Sequence, residues 1–320
     1  VKRKFLCFSL CNKAFITLRT NFSSRHWLAT HFQESVMGTT PQGFKDSVQH
    51  YLKRLQTGVV ATGMAATLAV GGLSASTVAH ADALEAIESR GTIRIAVPQD
   101  FPPFGSVGTD LQPRGYDIDM ANYLAEEMGV TLELITVTSA NRIPYLQTGQ
   151  ADLVISSLGK NPEREAAIDF SDAYAPFFLG VFSADADESV DGPEGFADKT
   201  IGVTRGAVED MELSNVAPES TTIQRFEDNA TTISAFLSGQ VDYVATGNVV
   251  AAEIAERNSN RAPSLMYQLK DSPCYVGLNK NEPALLEEVN RLIAQALEDG
   301  TLNEFSQRWF SADLPDNFGS

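Results

Sequence analysis

Between residues 92 and 310 the apolar positions switch repeatedly between a period near two and a period near 3.6, which predicts strands and helices taken in turn. Residues 92–97, TIRIAV, and 130–137, VTLELITV, read as strands on either side of a helix over 118–128. In that helix Ile118, Ala121, Tyr123, Leu124 and Met128 form one apolar stripe. Gly115-Tyr116-Asp117 leads into it, with Asp117 and Asp119 as capping charges of the first turn rather than metal ligands. Residues 151–155 predict a short buried strand and 156–160 a polar loop. Asn161-Pro162-Glu163 then predicts a helix start, Asn as N-cap and Pro at the first helical position. Toward the end, 275–278 read as a strand, 284–297 as a long helix and 300–310 as a packed terminal helix.

One pattern occurs twice. Residues 142–154, RIPYLQTGQADLV, are a helix end, a Gly turn and a strand, and 232–244, TISAFLSGQVDYV, repeat that order. Each strand is expected to run into a polar loop and a further helix, the second through Gly247 with Asn248 as N-cap of a helix over 249–256. Residues 92–97 and 200–203 form a second matching pair of strands, opening near Phe101 and Gly206. Two such α/β units facing each other bring four strand-to-helix loops to one cleft. The acidic, Gly-Pro-containing stretch 185–194 reads as a connection between lobes, and the chain is expected to return near 269–274. The predicted lobes are 82–184 with 270–320, and 185–269, joined by a two-segment hinge.

The first 81 residues read differently. Lys53-Arg54 precede an Ala-, Gly- and Leu-rich run over 55–78 that ends in Ala79-His80-Ala81, the pattern of a cleaved secretory signal, with Met37 as a plausible start and Asp82 as the first mature residue. A transmembrane anchor is the competing reading of that run, and no Cys follows it to take a lipid. Residues 82–320 carry 15 basic and 39 acidic residues, a net charge of −24, which excludes nucleic acid and anionic membrane as partners. His26, His31, His50 and His80 all precede residue 82, and Cys274 is the one cysteine after it. Nucleophile systems built on histidine, histidine metal sites and an intrachain disulfide are therefore not expected. Cys274 reads as a small buried apolar residue.

Arg164 is the residue that asks for an explanation. It falls in the first turn of the helix begun by Asn161, where free amides and the macrodipole already disfavour a cation by a few tenths of a kcal/mol or more. Strand, hydroxyl-bearing loop, helix start and guanidinium together form a receptor for a carboxylate. The alternative is an ion pair with Glu163, Glu165 or Asp169.

With IRIAVPQDFPPF, GYDIDMANYLAEEMGV, RIPYLQTGQADLVISSLGKNPER, FSDAYA, IGVTRGA and DGTLNEFSQRWF in place, residues 82–314 resemble the family 3 extracellular solute-binding proteins of polar amino-acid ABC importers. That resemblance implies an α/β, two-lobed periplasmic-binding-protein fold of type II, closing on a small ligand without catalytic residues, metal or cofactor. It implies a periplasmic monomer that hands its ligand to the membrane permease of an ABC importer. By it, Arg164 grips the ligand α-carboxylate beside Ser157 and the amides of 156–159, and Phe101 covers the ligand side chain. Thr204, Gly206 and Ala207 meet the ligand from the second lobe. Gly159 stands where many members carry Ser or Thr. Gly247 stands where typical members have the aspartate that pairs with the α-ammonium, and Asn248 is a neutral neighbour. Pro98 likewise replaces a residue that is often acidic in binders of basic amino acids. Either Glu209, Asp210 or Asp100 supplies the missing charge or the ligand lacks an α-amine.

Arg142, in a segment that looks like that of glutamate/aspartate-binding members, and Arg205 in the opposite loop make a site with three cations, which favours an acidic amino acid or dicarboxylate. The alternative pairs Arg142 with Asp152 or Glu133, and Arg205 with Glu209. Two other functions stay open: a dehydratase of the cyclohexadienyl/arogenate kind on the same fold, and a ligand sensor subunit.

Overall fold

The computed structural model describes residues 82–319 apart from Asp187 and Ser189. The signal sequence, Met37 and the histidines lie outside the described residues. Among those that are described, no helix is long and apolar enough to cross a membrane.

The chain opens with α1 (Ala83–Arg90), β1 (Thr92–Val97) and a small sheet of β2 (Asp100–Phe101), β3 (Gly105–Val107) and β4 (Pro113–Arg114). It continues through α2 (Tyr116–Glu127), β5 (Thr131–Thr136), α3 (Arg142–Gln147), β6 (Leu153–Leu158), α4 (Pro162–Ala167) and β7 (Asp169–Ala175). A second series follows: β8 (Phe178–Ser183), β9 (Thr200–Thr204), α5 (Val208–Val216), β10 (Thr222–Phe226), α6 (Asn229–Leu237), β11 (Tyr243–Gly247), α7 (Asn248–Arg257) and β12 (Ser264–Asp271). The last elements are β13 (Cys274–Leu278), α8 (Pro283–Glu298) and α9 (Thr301–Phe310).

Two five-stranded sheets result, ordered β5-β1-β6-β13-β7 and β10-β9-β11-β8-β12. In each, three parallel strands join an antiparallel pair, so the two sheets share one plan. The central strands β6 and β11 are buried at every residue, because helices cover both faces. The repeat seen in the sequence is real at the level of the turn. Gly149 and Gly239 end α3 and the turn after α6 at φ 67° and 76°, and Gln150 and Gln240 each donate to a carbonyl five residues back at 2.9 Å. Asp82 caps both α1 and α8, accepting from Leu84 N at 3.0 Å and Ala284 N at 2.9 Å, which ties the two ends of the first lobe together.

Four sequence-based expectations change. The strand expected over 151–155 runs as Leu153–Leu158, so Ser156 and Ser157 are buried strand residues and not loop. Asn248 is not an N-cap: Gly247 holds that place, and the Asn248 side-chain Oδ1 accepts from Phe178 N at 3.1 Å. Neither Asp117 nor Asp119 caps α2; Asp117 is wholly buried, and Asp119 pairs with Arg308 at 2.6 Å and accepts from the Trp309 indole at 2.8 Å. The outward passage between sheets falls at Pro176-Phe177, since β8 already belongs to the second sheet, while the return falls at Ser272-Pro273, within the expected 269–274. Val190 and Phe196 instead pack in the core of the second lobe, so the hinge does not run there. Cys274 is free and buried, in the core as expected.

Candidate functional site

The segments that follow β1, β5, β6, β9 and β10 and the two crossing segments close around a narrow cavity of about 10 Å³, room for about one water molecule. Phe101, Ser139, Arg142, Ser157, Gly159, Phe177, Leu179, Ala207, Val208, Glu209, Asn229 and Ser272 line it. Five of the nine residues expected from sequence are therefore present: Phe101, Arg142, Ser157, Gly159 and Ala207. Arg164, Thr204, Gly206 and Asn248 do not line it.

Arg142 is the dominant group. Its side chain lies at the start of α3, 4% exposed, and among the described residues it forms no salt bridge and its Nε–H has no partner. Of the two pairings open to it from sequence, Asp152 is held instead by Arg90 at 2.6 Å and Arg94 at 2.7 Å, and Glu133 forms no ion pair with it. Burial lowers its pKa, against the attraction of Glu209, Asp117 and Asp100. The Ser139 hydroxyl, buried one turn earlier, is also unpartnered.

Across the cavity Glu209 sits in the first turn of α5, 7% exposed, in no salt bridge. Burial raises its pKa, opposed by its own backbone N–H and by the charges of Arg142 and Arg164. The other two acids considered for this role are committed. Asp210 pairs with Arg225 at 2.7 Å and accepts from Gly206 N at 3.2 Å; Asp100 accepts from Asn229 N at 2.8 Å.

Arg164 behaves otherwise than a lone carboxylate receptor. Asn161 caps its backbone at 2.8 Å as expected, but the guanidinium turns to two carbonyls, Gly159 O and Gly206 O, both at 2.9 Å. The first belongs to the first lobe and the second to the other, so Arg164 straps the lobes together. Neither Glu163, Glu165 nor Asp169 pairs with it; Asp169 holds Lys280 at 2.7 Å. Burial and then the charge of Arg142 push its pKa down to about 10, which leaves it protonated at neutral pH. Arg205 faces outward, half exposed, 3.6 Å from Glu227, so the third cation expected at the site is not there. Thr204 is bonded to the Thr232 hydroxyl at 2.8 Å.

The two glycine departures have physical causes. A Cβ on Gly247 would lie 1.7 Å from the Phe177 ring, so that ring occupies the place of a side chain. A Cβ on Gly159 would lie 2.3 Å from the Ser272 hydroxyl, which stands there in place of the hydroxyl that Gly159 lacks. Phe177 extends an aromatic wall, edge-on to Phe104 at 5.1 Å, with Phe104 stacked on Phe101 at 6.0 Å. Sequence reasoning missed Ser139, Phe177, Asn229 and Ser272. Phe177 was missed because the outward crossing was placed at 185–194; Ser272 lies in the return crossing expected over 269–274 but was not singled out, and Ser139 was within reach, three residues before Arg142. Among the described residues no group of three or more His, Cys, Asp or Glu converges to hold a metal ion.

Residues 93–312 match the bacterial extracellular solute-binding proteins, family 3. The L-cystine-binding protein TcyJ of Escherichia coli (strain K12) is 26% identical over 257 residues, 79% of this chain and 95% of that protein. The ABC transporter glutamine-binding protein GlnH of Bacillus subtilis (strain 168) is 30% identical over 243 residues, 72% of this chain and 86% of the relative. Among solved structures, the ancestral amino acid-binding protein AncCDT-1, a precursor of cyclohexadienyl dehydratase, superposes with a TM-score of 0.66 at 31% identity, covering 71% of this chain and 99% of that one. With matching sheets, a cavity between two lobes and these relatives, the chain belongs to the family 3 extracellular solute-binding proteins and has their two-lobed, type II periplasmic-binding-protein fold.

Proposed function

We propose that the protein is a periplasmic receptor that captures an acidic amino acid or a related small dicarboxylate between its lobes and delivers it to the permease of an ABC importer. The observation that carries this reading is the Arg142 guanidinium, buried, without an ion pair and with an unpartnered Nε–H at the cavity wall. A charge held that way costs several kcal/mol unless something in the cavity pairs with it. A ligand carboxylate does so, with the Ser139 and Ser157 hydroxyls beside it. Arg142 and Arg164 also repel each other, and an anion next to them relieves both, which favours a ligand carrying more negative than positive charge.

Ligand that touches both lobes gains its full contacts only in the closed form, so binding and closure are one equilibrium. Delivery to a permease and export through a cleaved signal rest on family membership. The dehydratase reading has a fold relative in support and no residue arrangement beyond that.

The test is a thermal-shift screen against the twenty amino acids, glutarate, succinate and 2-oxoglutarate. A ligand at a hundred times its Kd adds about 2.7 kcal/mol to the native state. Stabilisation by glutamate, aspartate or a dicarboxylate is the expected result. A shift by neutral or basic amino acids alone overturns the acidic ligand class but leaves the receptor standing, and no shift by any of them overturns the receptor.

A further inference from the structure

Only two residues of the cavity lining carry charge, Arg142 and Glu209, and they are of opposite sign. Both are more than nine-tenths buried, and they are not within ion-pair distance of each other or of any other described residue. A protein gains nothing by burying a cation and an anion in one small chamber and keeping them apart. The arrangement makes sense when a third body carries the two complementary charges. We infer that Glu209 receives the ligand's α-ammonium, so that this receptor selects amino acids against carboxylates that lack an amine. This rests on the receptor reading and narrows it.

Three features of the surroundings support the assignment. The other carboxylates near the cavity, Asp100 and Asp210, are taken up by protein donors, whereas Glu209 has its own backbone N–H alone. Gly247 has no room for any side chain, because Phe177 fills the space, so β11 offers no competing carboxylate. Arg142 stands on the first lobe and Glu209 on the second. A zwitterion held by both spans the gap between lobes, while an amine-free acid satisfies the first lobe only and leaves Glu209 buried and unpaired on closure. Discrimination between the two ligand types then follows from closure itself, since a buried polar group left without its partner penalises the wrong ligand.

The experiment compares wild type with Glu209→Gln by calorimetry against two matched pairs: L-glutamate with glutarate, and L-glutamine with glutaramate. Wild type is expected to bind at least one amino acid tenfold or more tightly than its amine-free partner. In Glu209→Gln that preference falls to threefold or less, with affinity for the amine-free partner unchanged or improved. A second readout guards against a folding defect: the ligand-free variant melts at or above wild type, because an unpaired buried charge has been removed. Equal losses for both members of a pair, or a lower melting temperature without ligand, give Glu209 a structural role and overturn the inference. Persistence of the full preference in the variant overturns it as well. If wild type binds neither amino acids nor amine-free acids, the receptor reading fails and takes this inference with it; if it binds amine-free acids alone, or if the preference survives the substitution, only the inference fails.

Discussion

The carboxylate of Asp117 accepts the backbone N–H of Ser157 at 2.8 Å and the Tyr174 hydroxyl at 2.5 Å, all three groups buried behind the cavity wall. Ser157 has φ 41°, a left-handed conformation that costs a non-glycine residue about 1–2 kcal/mol. The hydrogen bond from the Ser157 N–H to Asp117 holds the end of β6 in that shape, with Ser157 in the cavity lining. Asp117→Ala leaves a buried N–H and a buried phenol without their acceptor. The expected result is a loss of about 1–3 kcal/mol of stability together with at least tenfold weaker ligand binding, read by urea denaturation and calorimetry. Lost stability with intact affinity would remove Ser157 from the ligand contacts.

The same carboxyl gives the protein a pH dependence with a definite sign. Burial pushes the Asp117 pKa up to about 7, against the hydrogen bonds from Tyr174 and Ser157 and the charge of Arg142. The native state therefore keeps a proton that the unfolded chain gives up near the ordinary aspartate value. Between about pH 4 and pH 7 this group lowers stability as pH rises, by up to about 1.4 kcal/mol per unit, and below pH 4 its contribution is complete. Glu209 is shifted in the same direction and adds to the slope. Asp117→Asn is expected to flatten the decline of melting temperature between pH 5 and 7 without abolishing it. An unaltered slope in the variant would place the proton elsewhere.

Gly247 and Phe177 should behave as a coupled pair. A methyl group at Gly247 meets the Phe177 ring at 1.7 Å, which forces one of them to move. Gly247→Ala is expected to cost about 1–3 kcal/mol as overpacking, and Phe177→Ala a few kcal/mol as a cavity. In the double variant the clash has gone, so the combined loss should fall short of the sum by at least 0.5 kcal/mol in denaturant titrations. Additivity would mean that the ring is not fixed against β11.

How much of this was legible in the sequence depends on what each signal measures. The duplicated helix-turn-strand was legible because its Gly turns and Gln-x-Asp endings have a local cause, the left-handed cap that both copies adopt. Arg142, Ser157 and Phe101 were legible through family resemblance, and the cavity holds them. Half of the hinge was legible: the return at Ser272-Pro273 falls within the expected 269–274, whereas Pro176-Phe177 passes between apolar strands with no polar break while the acidic stretch at 185–194 imitates a linker. Arg205 was misplaced because loop spacing does not say which side of a loop faces the cleft. Arg164 was correctly seen as a cation in need of a partner, but a sequence does not show that two carbonyl oxygens, one from each lobe, reach it. Asp117 left a clue that went unread. It lies four residues before Ala121 and seven before Leu124, on the buried face of α2.

Asp100 offers the most direct test of closure as a separable step. It stands beside Phe101 in the first lobe, yet its carboxylate accepts from Asn229 N at 2.8 Å and from the Asn229 side-chain amide at 3.2 Å, at the start of α6 in the second lobe. An anion there meets free amides and the positive end of a nine-residue helix, an interaction that exists only while the lobes are together. Asp228 caps the same helix through Thr231 N at 2.7 Å, so α6 keeps its own N-cap when Asp100 is removed. Asp100→Ala should therefore leave the melting temperature of the ligand-free protein within a degree or two of wild type while shifting the lobes toward the open form. Apparent affinity falls in proportion to the closed fraction, and a charged hydrogen bond worth about 1.5–3 kcal/mol corresponds to roughly tenfold or more. The loss should appear mainly as faster ligand release in stopped-flow experiments, with a larger radius of gyration in solution scattering at partial saturation. Release at the wild-type rate would show that Asp100 contributes nothing to holding the lobes shut, and would leave the Arg164 strap as the contact that does.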